Sequence, residues 1–379
     1  MKNYASIYLK ILPILGLVGI VLSALRTAVD SPATVYLLIF TAILDLLLVI
    51  LGRKFLKTPL IVFVSILLLI SVFVGLFNDV EISRRYITDV TNPLFFFCKI
   101  LIFKEYWKHA DFTKYFKFYS KIAFFGSIIL LPIAYYIYSS AGVNRIAIFP
   151  PLELPFASYL QGSPYLLIIT VLLILLYGKR SQLTGALATF ITFIILFRKR
   201  QIIKYFLLSI VGLIIMVVVF DKFKDNNAIR RLTYTYDQVV DARTLEEGFA
   251  TVSSGRDDEL TSVFKLMEDD VDYIFGLGVG FTYDLGVYID KDVSNVHFSP
   301  VGFLSKYGLI FMLFIYFYLF KVLFSLNKKY TDYEYIVAYS TFVFIFIEGF
   351  FAYNLFVTPL AAVSIGYLKS RAYNSITNE

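Results

Sequence analysis

The chain has 379 residues, of which 59% are hydrophobic and 17% charged, and its mean hydropathy is +0.74. A soluble domain needs more polar surface than this, so the composition excludes soluble enzymes and soluble binding modules. The apolar runs reach the ~20 residues that a bilayer-spanning helix needs. The ~10-residue alternating strands of an outer-membrane barrel are not found. We therefore predict an all-α, polytopic membrane helix bundle.

Eleven apolar segments in chain order are predicted to cross the membrane. They cover residues 5–25, 33–51, 59–77, 86–103, 118–138, 163–178, 182–197, 201–220, 299–325, 334–351 and 353–368. The first segment has no small-residue cleavage site and runs directly into the second, so we expect it to be retained. The predicted organisation is N-terminal membrane helices over 1–220, a polar loop over 221–298, and C-terminal membrane helices with a tail over 299–379.

Charge predicts the topology. Residues 221–297 hold 16 acidic and 8 basic residues, a net charge of −8, whereas the rest of the chain carries +15. Because lysine and arginine are retained in cytoplasmic turns, the basic turns at 53–57, 104–117, 198–200 and 321–329 are expected inside together with both termini. The acidic loop is expected outside. Such a topology needs an even number of crossings. The predicted twelfth is a short, broken or re-entrant segment at 146–160, which contains three prolines and Glu153.

Three residues are candidates for chemistry at the outer face. His297, one of two histidines, directly precedes a membrane segment and could accept a proton from a sugar hydroxyl or hold a phosphate; equally, it could bond loop backbone. Arg256 in the loop and Arg180 at the outer mouth of a helix could bind phosphate oxygens in bidentate fashion. Alternatively, Arg256 forms a solvated pair with neighbouring acids, and Arg180 reaches for lipid headgroups.

Other polar features are less specific. The run Gly276–Gly280 allows a close-packed turn where side chains would obstruct a ligand. Ionisable or amide side chains inside or beside apolar segments are functional candidates or form bonds between helices: Asp45, Asp89, Asn92, Glu348 and Asn354. The single cysteine, Cys98, excludes a disulfide framework and a thiolate cluster, and the acidic string 268–272 lacks calcium-loop spacing. No metal and no cofactor are expected.

Four stretches together resemble the O-antigen polymerase (Wzy) and O-antigen ligase group of membrane glycosyltransferases. They are Arg145 to Phe156 with its prolines, Gly178-Lys179-Arg180-Ser181, Gly255-Arg256, and Gly276–Gly280 followed by His297 and Tyr307-Gly308-Leu309. The likeness extends over nearly the whole chain. Two departures from the family pattern favour a polymerase over a ligase: Phe298 after the histidine, and no tryptophan between Phe264 and Met267.

The resemblance implies a metal-independent polymerase of polysaccharide repeat units, acting on undecaprenyl-pyrophosphate-linked oligosaccharides at the outer face of the bacterial inner membrane. It implies that Arg180 and Arg256 bind the pyrophosphate, that Arg256 also takes part in catalysis by stabilising the charge of the leaving group, and that His297 is the base or a further phosphate ligand. Arg145 is a weaker candidate for binding a second lipid carrier. Glu153, Tyr307 and Gly278 are further, weaker candidates for residues of the site. Expected partners are membrane lipid, a chain-length regulator and a flippase, and no nucleic acid. The alternatives are a glycan ligase or, in another class, a flippase or transporter.

Overall fold

The computed structural model describes residues 1–29, 33–142, 148–198, 256–284, 293, 295–325, 332–352 and 355–376. In these ranges the structure is helical apart from one isolated bridge between Tyr283 and Val293. The α-helices are α1 Lys2–Val29, α2 Ala33–Leu51, α3 Pro59–Phe77, α4 Arg84–Tyr106, α5 Phe112–Ser140, α6 Glu153–Gly162, α7 Pro164–Leu176, α8 Arg180–Phe197, α9 Arg256–Leu266, α10 Asp270–Phe275, α11 Ser299–Phe324, α12 Tyr333–Ala352 and α13 Pro359–Ile376. A 3₁₀ turn, Arg53–Lys57, joins α2 to α3.

Eight described helices are long and apolar enough to cross a membrane: α1 to α5, α8, α11 and α12. They match eight predicted segments and confirm the all-α, polytopic class. The segment predicted at 163–178 is the shorter apolar helix α7. The segment predicted at 353–368 corresponds to α13, and 201–220 lies outside the described residues. The count of eleven or twelve crossings stays a prediction.

The predicted broken segment at 146–160 overlaps α6, a helix of ten residues whose side chains are mostly buried. At 1.5 Å per residue, α6 is about 15 Å long, too short to cross a hydrocarbon core of about 30 Å. Ser163 is extended and Pro164 begins α7, so the helix is interrupted at this point. Interrupted backbone at membrane depth is tolerated where protein surrounds it, and α6 packs among α5, α7, α8 and α12.

The bundle is built around α12. In its most apolar stretch of 18 residues 78% of the residues are buried, whereas the corresponding share for α2 is 11%. The helix α4 lies beside α13: Trp107 at its end donates a hydrogen bond to the carbonyl of Val363 over 3.2 Å, and Gly366 contacts Phe103. The helix α2 packs mainly on α1 and α4. It therefore stands at the edge of the bundle and forms a wall rather than part of the core.

The predicted cytoplasmic turns gather at one end of the bundle. The 3₁₀ turn follows Gly52, which packs on Ile102 of α4. At the start of α5, Thr113 donates a hydrogen bond to Glu334 at the start of α12. Tyr367 of α13 also donates to Glu334, over 3.1 Å. These contacts bring the basic turns near residues 53–57, 104–117 and 369–371 to the same end, as their common predicted side requires. That this end faces the cytoplasm stays a prediction.

The other end, here called the loop end, carries the last residues of α1, α3 and α5, the first residues of α4, α8 and α11, and the described part of the loop. Ile20 of α1, Ala134 of α5, Ile148 and Tyr177 form one buried cluster there. The helix α8 runs from this end to the opposite one, where Phe197 contacts the Tyr339 ring. Arg180 and Arg198 therefore lie at opposite ends of α8.

The glycine-rich turn joins the loop to two membrane helices. Gly276, Gly278 and Gly280 all have positive φ, and so does Gly308, where α11 is kinked. A Cβ on Gly276 would lie 2.7 Å from the backbone nitrogen of Gly308, and one on Gly278 would collide with the backbone of Gly75 in α3. Gly276 and Gly278 thus make room for neighbouring backbone, whereas Gly280 packs against the side chains of Tyr86 and Val80 and lines the cavity described below.

We expect Gly278→Ala to destabilise the protein more than Gly142→Ala. Both glycines have positive φ, which costs an alanine about 1–2 kcal/mol, but a Cβ on Gly142 meets no atom within 4 Å. The clash of Gly278→Ala with α3 should add about 1–3 kcal/mol. Thermal unfolding of both variants in one detergent measures the difference. Equal losses would mean that the turn does not pack on α3 as described.

Candidate functional site

A buried ion pair between Asp89 of α4 and Lys306 of α11 joins these two helices, and the same aspartate also binds the loop. The Lys306 Nζ donates to Asp89 Oδ1 over 2.8 Å, and the Lys306 side chain is fully buried. The second Asp89 oxygen accepts from the backbone N–H of Gly280 over 3.1 Å, and its backbone carbonyl accepts from the Tyr307 hydroxyl over 2.7 Å. Asp89 thus binds the glycine turn and two consecutive residues of α11, Lys306 and Tyr307.

A second polar cluster joins α9 to the residue before α11. Glu259 is buried, at 3% exposure. Its carboxylate lies 3.1 Å from His297 Nδ1, accepts from the backbone N–H of His297 over 3.0 Å, and accepts from the Tyr283 hydroxyl. The His297 side chain is 60% exposed. One imidazole nitrogen is therefore held by a buried carboxylate while most of the ring surface is open.

The environment of Glu259 favours its charged form. Burial raises the pKa of the Glu259 carboxyl, but the hydrogen bonds from His297 and Tyr283 outweigh burial and leave the pKa below its ordinary value. The pKa of Tyr283 is raised, first by burial and then by its hydrogen bond to Glu259. Glu259 is thus a carboxylate at neutral pH, and Tyr283 is a hydroxyl donor. These protonation states suit a carboxylate that orients an imidazole.

A cavity of about 2210 Å³ opens at the loop end. One wall is the apolar face of α2, with Leu38, Ile43 and Leu46, and it reaches down to Asp45. The upper part is polar and is lined by Arg26, Arg84, Arg85, Glu153, Asp272 and Asn295. The cavity therefore combines a long apolar wall with three arginines and several carboxylates, Asp79 and Glu81 among them.

The predicted site residues occupy several places. Glu153 lines the cavity, buried, with its carboxylate 3.2 Å from the Gln182 side-chain nitrogen. Arg180 is half-buried beside Lys179, whose Nζ lies 3.9 Å from the centre of the Phe149 ring, itself part of the lining. Arg180 is not itself among the lining residues.

The remaining candidates lie beside the cavity or beyond the described part. Tyr307 is buried and bonds Asp89, Gly278 packs on α3, and His297 is two residues from the lining residue Asn295. The backbone of Arg256 begins α9, one turn before Glu259, so the structure brings this residue near His297; its side chain is outside the described part. Arg145 is wholly outside the described residues.

Of the other predicted intramembrane polar residues, Asp45 pairs between helices. Asp45 accepts from Lys99 over 2.7 Å and from the Tyr8 hydroxyl over 2.6 Å. Asn92 lines the cavity, Glu348 is fully buried in α12, and Asn354 lies outside the described residues. Within the described ranges, no three His, Cys, Asp or Glu side chains are placed to hold a metal ion. The chemistry available from these residues is acid–base and electrostatic.

Sequence reasoning missed five residues of this region. Arg26, Arg84 and Arg85 lie at helix ends that the predicted topology places outside, where basic residues are disfavoured, and this could have identified them. Glu259 stood in a run of three acids with no pattern to distinguish it, and Lys306 in the sequence is one basic residue near the start of an apolar segment. Only the fold shows that each of these last two is buried against a partner from another element.

No family model, curated protein or solved structure matches this chain.

Single substitutions in the Asp89–Lys306 pair should be strongly destabilising. Either Asp89→Asn or Lys306→Met leaves a buried charge without its partner, at a cost of about 3–5 kcal/mol, whereas the double variant should recover a large part of the loss. Thermal unfolding in detergent reads this out. Lys108→Met is the control, because its pair with Glu105 is partly exposed and should contribute no more than about 1 kcal/mol. Additive losses in the double variant would contradict a coupled pair.

The contact between α9 and His297 should weaken in acid. Because the pKa of Glu259 is lowered by folding, its contribution is complete above the ordinary glutamate value of 4.5 and is lost as pH falls through the lower, folded-state pKa. Hydrogen-exchange protection of the His297 amide should therefore fall once the pH drops below 4.5 and passes through the lower, folded-state pKa of Glu259. The Glu259→Gln variant, which cannot titrate there, should lack this step. A native protein whose protection responds to acid in the same way as that of Glu259→Gln would contradict the assignment.

Proposed function

We propose that this chain is a membrane glycosyltransferase that polymerises oligosaccharide repeat units carried on a polyprenyl pyrophosphate. The observation that carries the proposal is the lining of the cavity. Its apolar α2 wall suits a lipid chain, and its three arginines suit a phosphate or pyrophosphate, so one cavity matches both parts of such a substrate. The resemblance in four sequence stretches supports the same substrate class independently of the cavity.

The arginines have a further feature that favours an anionic ligand. Arg84 and Arg85 occupy the first turn of α4, where the helix macrodipole is unfavourable to positive charge, and no acidic residue stands in that turn. A bound anion would offset both the dipole and the clustered guanidinium charges. Arginine also forms paired hydrogen bonds with phosphate oxygens. We assign the pyrophosphate chiefly to the cavity arginines, with Arg180 and Arg256 as further candidates.

The proposed reaction uses this charge on the leaving group. A hydroxyl of the acceptor sugar attacks the anomeric carbon of the donor, and the bond from that carbon to the pyrophosphate oxygen breaks. The lipid pyrophosphate departs with the electron pair, and the arginines stabilise the charge that develops on it. His297 takes the proton from the attacking hydroxyl. No metal enters this proposed scheme.

Replacing the cavity arginines should reduce polymerisation. A hydrogen bond to a charged group contributes about 1.5–3 kcal/mol, so Arg84→Ala or Arg85→Ala should lower the rate at least about 10-fold, and the lysine variants by less. The assay supplies purified protein in lipid with one lipid-linked repeat unit and follows the ladder of longer chains. Arg53→Ala, in the 3₁₀ turn at the opposite end, is the matched control and should match the native rate.

The same assay separates the alternatives. A ligase would transfer the glycan to an added acceptor without lengthening it, and a flippase would move the substrate across the bilayer with no new glycosidic bond. Unchanged ladders from Arg84→Ala and Arg85→Ala variants would remove the cavity from the proposed mechanism. No ladder from the native protein, with lipid and substrate composition varied, would remove the polymerase proposal.

A further inference from the structure

The cluster around Glu259 gives His297 a defined orientation. Glu259 is buried, and its carboxylate faces His297 twice, through the backbone N–H and through Nδ1. A carboxylate accepts hydrogen bonds and donates none, so the Nδ1 beside it must carry a proton. In a neutral imidazole only one nitrogen is protonated, so Nε2 is left with its lone pair free to accept a proton.

The surroundings restrain Glu259 itself. Its oxygens accept hydrogen bonds from the Tyr283 hydroxyl and from the backbone N–H and Nδ1 of His297. The Tyr283 hydroxyl also lies 3.3 Å from the carbonyl oxygen of Asn295. The aromatic ring of Tyr283 stacks on Phe281, and its backbone pairs with Val293 in both directions, over 2.8 and 2.9 Å. Hydrogen bonds therefore hold residues 281–283, 293 and 295–297 together around one carboxylate, beside a small core that includes Val263, Met267 and Val296.

We propose that Glu259 is a positioning residue that holds His297 in the Nδ1–H tautomer and leaves Nε2 as the proton acceptor. The role rests on the proposed function, because it prepares His297 to take the proton of the acceptor hydroxyl as that oxygen bonds to the donor sugar. The proton remains on Nε2 until it passes to solvent, and the lipid pyrophosphate leaves with the electron pair. Glu259 itself stays ionised throughout and touches no substrate.

The chain offers a direct measurement of the tautomer, since it has only two histidines. With ¹⁵N-labelled histidine in lipid nanodiscs, ring nitrogen shifts distinguish protonated from unprotonated nitrogens, and His109→Gln identifies the His297 signals. Above neutral pH we expect a protonated Nδ1 and an unprotonated Nε2. Glu259→Ala should shift the population toward the Nε2–H form. Glu259→Gln, whose amide oxygen can still accept from Nδ1, should retain much of the native pattern.

Two variants control for disruption of the fold. Asp258→Ala removes an exposed acid next to Glu259 on the same helix and should leave the tautomer unchanged. Tyr283→Phe removes one hydrogen bond to Glu259 while leaving the contact with His297, so it should also keep the native tautomer. A native protein in the Nε2–H form, or a Glu259→Ala variant with the native pattern, would overturn the proposal.

The ladder assay supplies the second readout. Glu259→Ala should lower kcat by at least about 10-fold, because general-base catalysis contributes about 10²- to 10⁴-fold, with little change in KM for the lipid-linked donor; Glu259→Gln should lie between. If Glu259→Ala polymerised with the kcat of the native protein, the positioning role would be overturned. If the native protein forms no polymer, the tautomer still decides whether Glu259 orients His297, and only the proposed function falls.

Discussion

The arrangement of the loop end depends on the carboxylate of Asp89. It lies on a membrane helix, and it binds a lysine from α11 and a backbone N–H from the glycine turn. A fully buried Lys306 without this partner would carry a desolvation cost of several kcal/mol. The ion pair is therefore satisfied only when α4, α11 and the turn are all in place. Since the turn also bonds α3 through Val279 and Asn78, one buried charge makes the docking of the loop cooperative.

This docking also defines the cavity. Gly280, Phe281 and Asn295 line it from the loop side, whereas α1, α2 and α4 line it from the membrane side. The peripheral position of α2 leaves its apolar face available to the cavity instead of to a helix partner. The arginines sit where the two halves meet, close to the helix ends. The cavity thus results from leaving one helix loosely packed and fixing the loop firmly at Asp89.

The sequence predicted the helices well because an uninterrupted span of about 20 apolar residues matches the thickness of the hydrocarbon core and little else. The candidate site was harder, because its contacts join residues far apart in the chain. Glu259 and His297 are separated by 38 positions and Asp89 and Lys306 by 217, and no local pattern marks either pair. Arg84 and Arg85 were within reach of sequence reasoning, since their predicted side is unfavourable for basic residues. The glycine run was recognised, but its packing against Gly75 and Gly308 required the fold.

The short segment 295–297 connects the two polar clusters and determines how they relate. Asn295 lines the cavity and accepts from Lys306 over 3.1 Å, so it belongs to the Asp89 cluster. His297, two residues later, is held by Glu259. Between them Val296 is fully buried, so the segment has little freedom to rotate. The direction of the imidazole relative to the cavity is therefore set by both clusters at once. A substitution at Asp89 would therefore alter the position of His297 through the backbone of residues 295–297, without any contact between Asp89 and a substrate.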